Sequence, residues 1–241
     1  MKEFKILENL IFGNMNYEMF NKKYEKFNYY TKNKEELLNS NIVPYSVEEI
    51  TDLIKSSKIK DLFLESISDF NIDKLYKSYI HGLNHNIRVL IYVFLISSIE
   101  KIGNRDVQIL FEAAKYHDIG RINDNEDKTH GIRSADNLGF LKDKYSDEEL
   151  NYLKTIITAH SMNDIEFVNV AIQNNIIDID RCRRMFEILK DSDGLDRVRL
   201  EYPYIKIDFL RTMTAKKLVL FAYILYYNYE LNLREKVETN E

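Results

Sequence analysis

Cysteine occurs once in this chain of 241 residues, at Cys182, which leaves no partner for an intramolecular disulfide and no thiolate set for a zinc site. A reducing, cytoplasmic setting is therefore the expectation. Proline occurs twice and glycine seven times, too little turn chemistry for a strand-rich sandwich, while Leu, Ile, Lys, Glu and Asn abound. Long helices are expected instead. Positive charge is also short: a net −5 and a pI near 5.7 remove the field that drives bulk nucleic-acid binding. Long apolar runs are missing too. The two longest, Val89 to Ile96 and Leu218 to Tyr227, cover eight and ten residues, about half of the roughly 20 a membrane-spanning helix needs. Both read as buried core helices, and no membrane partner is expected. The stretch from Met1 to Gly13 is broken by Glu8 and Asn9 and lacks a small-residue cleavage site, unlike a signal peptide. With 45% hydrophobic and 30% charged residues, disorder is excluded and one sizeable core, or a core with a small annex, is predicted.

What is present is helical patterning. Tyr17, Phe20, Tyr24 and Phe27 recur at steps of three and four, one face of a helix that packs on the main core. Ser46 with Glu49, and Ser146 with Glu149, make capping boxes that open helices at Val47 and after Ser146, the second ending near His160. Further helices are predicted from Asp73 to about Ile80, Asn84 to Ile102, Asp106 to Tyr116 and Gly131 to Leu141. Phe167 to Gln173, Asp180 to Lys190 and Ile207 to Leu233 follow. No strand, repeat or linker stands out, so the fold class is all-α.

All five histidines lie between His81 and His160. His81 and His85 are four apart, His117 is followed by Asp118, and Gly82, Gly120, Gly131 and Gly194 lie within three residues of a His or of the late Asp cluster. Imidazole and carboxylate are ligands for divalent Mn, Fe, Co, Ni or Zn, and converging helices can hold two ions joined by one carboxylate.

In order along the chain, His85 stands in H-N-I-R-V, His117 and Asp118 in K-Y-H-D-I-G-R, and Asp193 in D-S-D-G-L-D-R, over about half the chain from Tyr79 to Leu200. This ordered set resembles the HD-domain superfamily of metal-dependent phosphohydrolases. The resemblance implies an HD-like helical bundle at residues 72–205, with an N-terminal helical extension at 1–71 and a C-terminal helix at 206–241 packing on the core. It also implies a dinuclear centre: His85, His117, Asp118 and Asp193 around one ion, Asp118 bridging, and His130 with His160 on a second. The metals would be two divalent ions among Mn, Fe, Zn, Co, Ni and Mg. The D-x-L match selects Asp193 over Asp191 and Asp196, which become outer-shell residues orienting a ligand or pairing with Arg197 or Arg199. His81 sits where the HD-GYP group has an acidic ligand for a third metal, and ligation, substrate binding and capping stay open for it. The G-Y-P signature and the H-H-E run are absent, Ser161 following His160, so the resemblance does not extend to cyclic di-GMP.

The implied reaction is hydrolysis of a phosphomonoester or phosphodiester, in a nucleotide or cyclic nucleotide, by metal-activated hydroxide, with ions about 3.5–4 Å apart. No G-x-S-x-G or P-loop motif is present to suggest another route. Arg121 and Lys128 are the candidate cations for the phosphate, with Arg88 and Arg197 behind them. Two alternatives carry the same ligand order: an HD-type mixed-valent di-iron oxygenase and a silent nucleotide-binding sensor. The expected partner is a small-molecule phosphoester or nucleotide, and self-assembly stays open.

Overall fold

Apolar on every side, the run from Val89 to Ile96 can satisfy no amphipathic role at a surface, and it forms the middle of a helix whose eight run residues are all fully buried. The structure is a computed structural model, and it describes residues 25–200 and 205–238, with side chains for 28–200 and 205–228. Ten helices are found among the described residues, with no strand. They are α1 (Glu25–Asn39), α2 (Val47–Ser56), α3 (Lys60–Ser68), α4 (Leu83–Ile99) and α5 (Asn104–Tyr116). Then follow α6 (His130–Asp136), α7 (Asp147–His160), α8 (Phe167–Gln173), α9 (Ile179–Leu195) and α10 (Met213–Glu238). The all-α class is as the composition indicates. No helix among the described residues is long and apolar enough to cross a membrane.

Helix α4 is the axis, with α2, α5, α9 and α10 packed around it. Phe94 on α4 meets Phe63 on α3 at a ring separation of 4.6 Å, and Phe63 meets Phe111 on α5 at 5.8 Å, so three helices share one aromatic contact. Truncating Phe94 to Ala would cost about 3–5 kcal/mol. The second apolar run, Leu218 to Tyr227, lies on α10 and is mostly buried against α4, α9 and α1. Asn33 of α1 is tied to it, donating to the Ile205 carbonyl at 2.8 Å and accepting from the Tyr223 hydroxyl at 2.7 Å. The aromatic face expected from Tyr17, Phe20, Tyr24 and Phe27 lies outside the residues whose side chains are described.

Both capping boxes form. Ser46 and Ser146 each accept from the backbone of Glu49 and Glu149, whose carboxylates return to the cap N–H at 2.7 and 2.9 Å. Other boundaries moved. The helix expected from Asp73 to Ile80 is only a 3-10 turn, Ile72–Lys74, because the hydroxyl of Ser78 takes the backbone N–H of Ile80 and His81 and holds the chain in a turn. Helix α4 stops at Ile99 rather than Ile102, since Lys101 takes a left-handed φ of 53° and the Ile102 N–H closes on the Ser97 carbonyl. The stretch to Leu141 splits into α6 and a 3-10 turn at Leu138–Leu141. Helix α9 runs five residues past Lys190, to Leu195, where burial of Leu189 and Leu195 carries a Ser, Asp and Gly stretch of low helix propensity. The last helix starts at Met213, after a separate 3-10 turn at Ile207–Phe209.

Candidate metal centre

Four helix ends converge on one buried point. His85 lies in the first turn of α4, His117 closes α5, His130 opens α6 and His160 ends α7. Asp118 follows in the turn after α5, and Asp193 projects from the last turn of α9. Two glycines permit the convergence. A Cβ on Gly131 would stand 2.5 Å from the Ile157 carbonyl, and one on Gly120 would stand 2.3 Å from the Ser134 nitrogen, so any side chain would push α6 away from α7 and from the His117–Asp118 turn.

The two oxygens of Asp118 face different histidine pairs. Oδ2 is 3.5 Å from His85 Nε2 and 3.7 Å from His117 Nε2, while Oδ1 is 3.0 Å from His130 Nε2 and 3.8 Å from His160 Nε2. Within the pairs, the Nε2 atoms of His85 and His117 are 3.1 Å apart, and those of His130 and His160 are 2.9 Å apart. Asp193 Oδ1 is 3.4 Å from His85 Nε2. Two groups of three donor atoms lie mutually within 4.8 Å, His85 with His117 and Asp193, and His117 with Asp118 and His160.

The rings' outer nitrogens decide what those inner atoms are. His117 Nδ1 donates to the Ala114 carbonyl at 3.0 Å, His160 Nδ1 to the Ile157 carbonyl at 2.5 Å, and His130 Nδ1 to the Asp127 carbonyl. His85 Nδ1 donates to Asp196 at 2.7 Å. A carbonyl or carboxylate only accepts, so each neutral ring carries its proton on Nδ1 and turns a bare Nε2 lone pair inward. Lone pairs 2.9–3.1 Å apart repel unless a cation lies between them. Two donors about 2.1 Å from one ion, at right angles, stand about 3 Å apart, so the donor set fits a divalent metal. Asp118 Oδ1 agrees: it is buried with no well-aligned hydrogen-bond donor among the described residues, Arg121 Nε and His130 Nε2 approaching to 2.9 and 3.0 Å as ion-pair contacts only.

Burial pushes the His117 imidazolium down to about 3, so that ring is neutral. Burial alone would raise the Asp118 carboxyl, but the rings of His117, His130, His160 and His85 outweigh it and hold the group well below the usual carboxylate range. Asp193 is held low in the same way, against burial, by His85, Arg199 and His117. His117, Asp118 and Asp193 are thus in the forms a metal requires.

The remaining sequence candidates separate. Asp196 is an outer-shell residue: besides His85, it takes Arg88 Nε at 2.6 Å and the terminal nitrogen at 3.0 Å. Burial raises its carboxyl, yet Arg88 and His85 prevail and bring it to about 2. Arg88 is itself buried and committed to that pair, which removes it as a phosphate cation. Asp191 faces the other way, accepting from the backbone of Arg211 at 2.9 Å and Thr212 at 2.7 Å, so it anchors the chain entering α10, where Thr212 Oγ1 takes the cap bond from the Ala215 N–H. His81 belongs to neither donor group among the described residues. Its Nδ1 meets Asp124 at 2.9 Å, Asp124 also takes the Ser78 hydroxyl at 2.6 Å, and burial with Arg199 pushes the ring down to about 4.

Arg121 Nε is 2.9 Å from Asp118 Oδ1, within reach of anything bound there. The Lys128 side chain is exposed, and its carbonyl is what the packing uses, accepting from Ser161. Sequence reasoning underrated Arg199. Its guanidinium lies 3.9 Å from Asp193 and 3.6 Å from Asp196, and its Nε and one terminal nitrogen are buried without a hydrogen bond among the described residues. Nothing in the D-S-D-G-L-D-R-V-R string distinguishes it from Arg197, which is exposed. Cys182 is buried, and burial pushes its thiol up to about 12, so it is no nucleophile. Comparison of the chain with protein-family models, with curated proteins and with solved structures finds no match.

Proposed function

We propose that this chain is a metal-dependent phosphohydrolase of the HD-domain type. In this reading it cleaves a phosphomonoester or phosphodiester bond of a small molecule, a nucleotide or cyclic nucleotide, in the cytoplasm. The observation that carries the reading is Asp118, whose two oxygens face two separate histidine pairs. His85, His117 and Asp193 would hold one divalent ion, His130 and His160 a second, and Asp118 would bridge. Two such ions would lower the pKa of a shared water toward neutrality and draw charge from the phosphoryl oxygens.

The chain's own side chains do the rest. The carbonyls of Ala114, Asp127 and Ile157, with Asp196, fix the four rings so that no reorganisation is needed when substrate arrives. Arg121 and Arg199 place guanidinium groups on opposite carboxylates of the centre, Asp118 and Asp193, and a phosphate entering there gains charge-assisted hydrogen bonds. Neutral His81, oriented by Asp124 at Nδ1, can accept one hydrogen bond from the substrate at Nε2.

Metal analysis of anaerobically purified protein, with a panel of phosphatase and phosphodiesterase substrates, tests this. Two equivalents of metal and Mn-supported hydrolysis are expected. Iron-dependent oxygen consumption without phosphoester turnover would instead assign the di-iron oxygenase, and nucleotide binding without turnover the silent sensor.

A further inference from the structure

A cavity of about 180 Å³ adjoins the proposed metal centre, sharing His160 and Asp193 with it and lined also by Lys190, Arg197, Lys206 and Arg211. Four cations at one small opening are out of keeping with a chain of net charge −5. Two of them are occupied structurally. Lys190 donates to Asp164 at 2.7 Å and to the Met162 carbonyl, and Arg211 bridges Asp164 at 2.7 Å and Asp191 at 3.1 Å, so these charges cancel against two carboxylates. Arg197 and Lys206 are different. Both are exposed, and the ion pairs of the described residues include neither, Lys206 lying only over the Phe209 ring at 5.1 Å.

We propose that this cavity is a subsite for a second phosphate of the substrate, directly linked to the phosphoryl group at the metal centre and held by Arg197 and Lys206. The proposal rests on the phosphohydrolase reading and narrows its substrate class to diphosphates. Size supports a group rather than a whole ligand, since pockets for drug-sized molecules run to about 300–1,000 Å³. Position supports direct linkage, because the wall that meets the subsite is made of two of the proposed ligands themselves, His160 and Asp193. Chemistry supports phosphate: a tetrahedral anion offers oxygens to a planar guanidinium and to an ammonium at once. Phe209, 67% exposed at the same opening, leaves an aromatic face for whatever the inner phosphate carries.

The test uses adenosine 5′-monophosphate and the hydrolysis-resistant α,β-methylene analogue of adenosine 5′-diphosphate as probes, titrated calorimetrically into Mn-loaded protein freed of excess metal. Wild type should bind the diphosphate about tenfold or more tighter than the monophosphate, which corresponds to about 1.4 kcal/mol. The double variant Arg197→Ala, Lys206→Ala should lose that preference while keeping its Mn content, its thermal midpoint and its affinity for the monophosphate. Equal affinities in wild type, or a preference that survives in the variant, overturns the subsite. The phosphohydrolase reading fails on its own evidence, by absence of metal uptake and of p-nitrophenyl phosphate hydrolysis. The diphosphate preference is then read on the metal-free protein, where its loss in the double variant still supports the subsite and its absence in wild type removes it.

Discussion

His85 and Asp196, 111 residues apart in sequence, meet at 2.7 Å, and the same carboxylate is gripped from behind by Arg88, one turn along from His85 on α4. The pair couples the proposed metal centre to the core. Asp196 orients the His85 ring and neutralises a buried guanidinium, which also rests over the Tyr226 ring at 5.2 Å.

Replacing Asp196 with Asn should therefore weaken metal binding about 10–100-fold, measured by competition with a chromogenic chelator. Asp191→Asn, five residues earlier but facing the start of α10, should leave that affinity unchanged. Its cost should be about 1–3 kcal/mol of stability in urea unfolding, from weakened bonds to Arg211 and Thr212. Equal metal affinities for the two variants would remove the distinction drawn between these carboxylates.

Metal stoichiometry should follow the split of Asp118. Asp118→Ala should lose tight binding of both ions and all measurable phosphoester turnover, whereas His160→Ala should keep about one equivalent by mass spectrometry of the metal. A fully metallated, active Asp118→Ala protein would rule out the bridging role.

Away from the site, Glu112 is a structural anchor. It is buried with Lys115 at 3.0 Å and also takes Lys144 at 2.7 Å and the Tyr145 hydroxyl at 3.3 Å. Removing it strands the Lys115 charge in the interior, so Glu112→Ala should lose about 3–5 kcal/mol in denaturant unfolding. The double change Glu112→Leu, Lys115→Met should recover much of that loss, because no charge is left unpaired.

Acid sensitivity has a traceable contributor in Glu149. Arg105 beside it, with the Ser146 cap, outweighs partial burial and holds its carboxyl at about 2, below its ordinary 4.5. A depressed carboxyl stabilises the fold fully above the unfolded value and loses that contribution as pH falls toward the folded one. The stability gap between wild type and Glu149→Gln, under about 1 kcal/mol because Arg105 is half exposed, should be constant above pH 5. It should narrow between about pH 4.5 and 3. A gap that widens on acidification would contradict the assignment.

How much of this was legible beforehand depends on range. Ser146 and Glu149 announce α7 because a capping box is satisfied within four residues, and Val89 to Ile96 announces a buried helix because no face of it is polar. The failed helix after Asp73 shows the limit: Ser78 chose the turn, and its hydroxyl is fixed in place by Asp124, 46 residues away. The extension of α9 through Asp191, Ser192 and Gly194 was equally hidden, since only burial against other helices outweighs its weak local preference.

The order of His85, His117, Asp118, His130, His160 and Asp193 is a property of the sequence, as are the helical class and the glycines that let backbones touch, because each is written in residue type and spacing. Tertiary structure alone decided that Asp118 divides its oxygens between two pairs, that Asp196 supports His85 while Asp191 anchors the chain entering α10, and that Arg197 and Lys206 have no ion-pair partner among the described residues. Those are statements about direction. The sequence fixes a side chain's chemistry, but the helix that carries it and the partner facing that helix determine where it points.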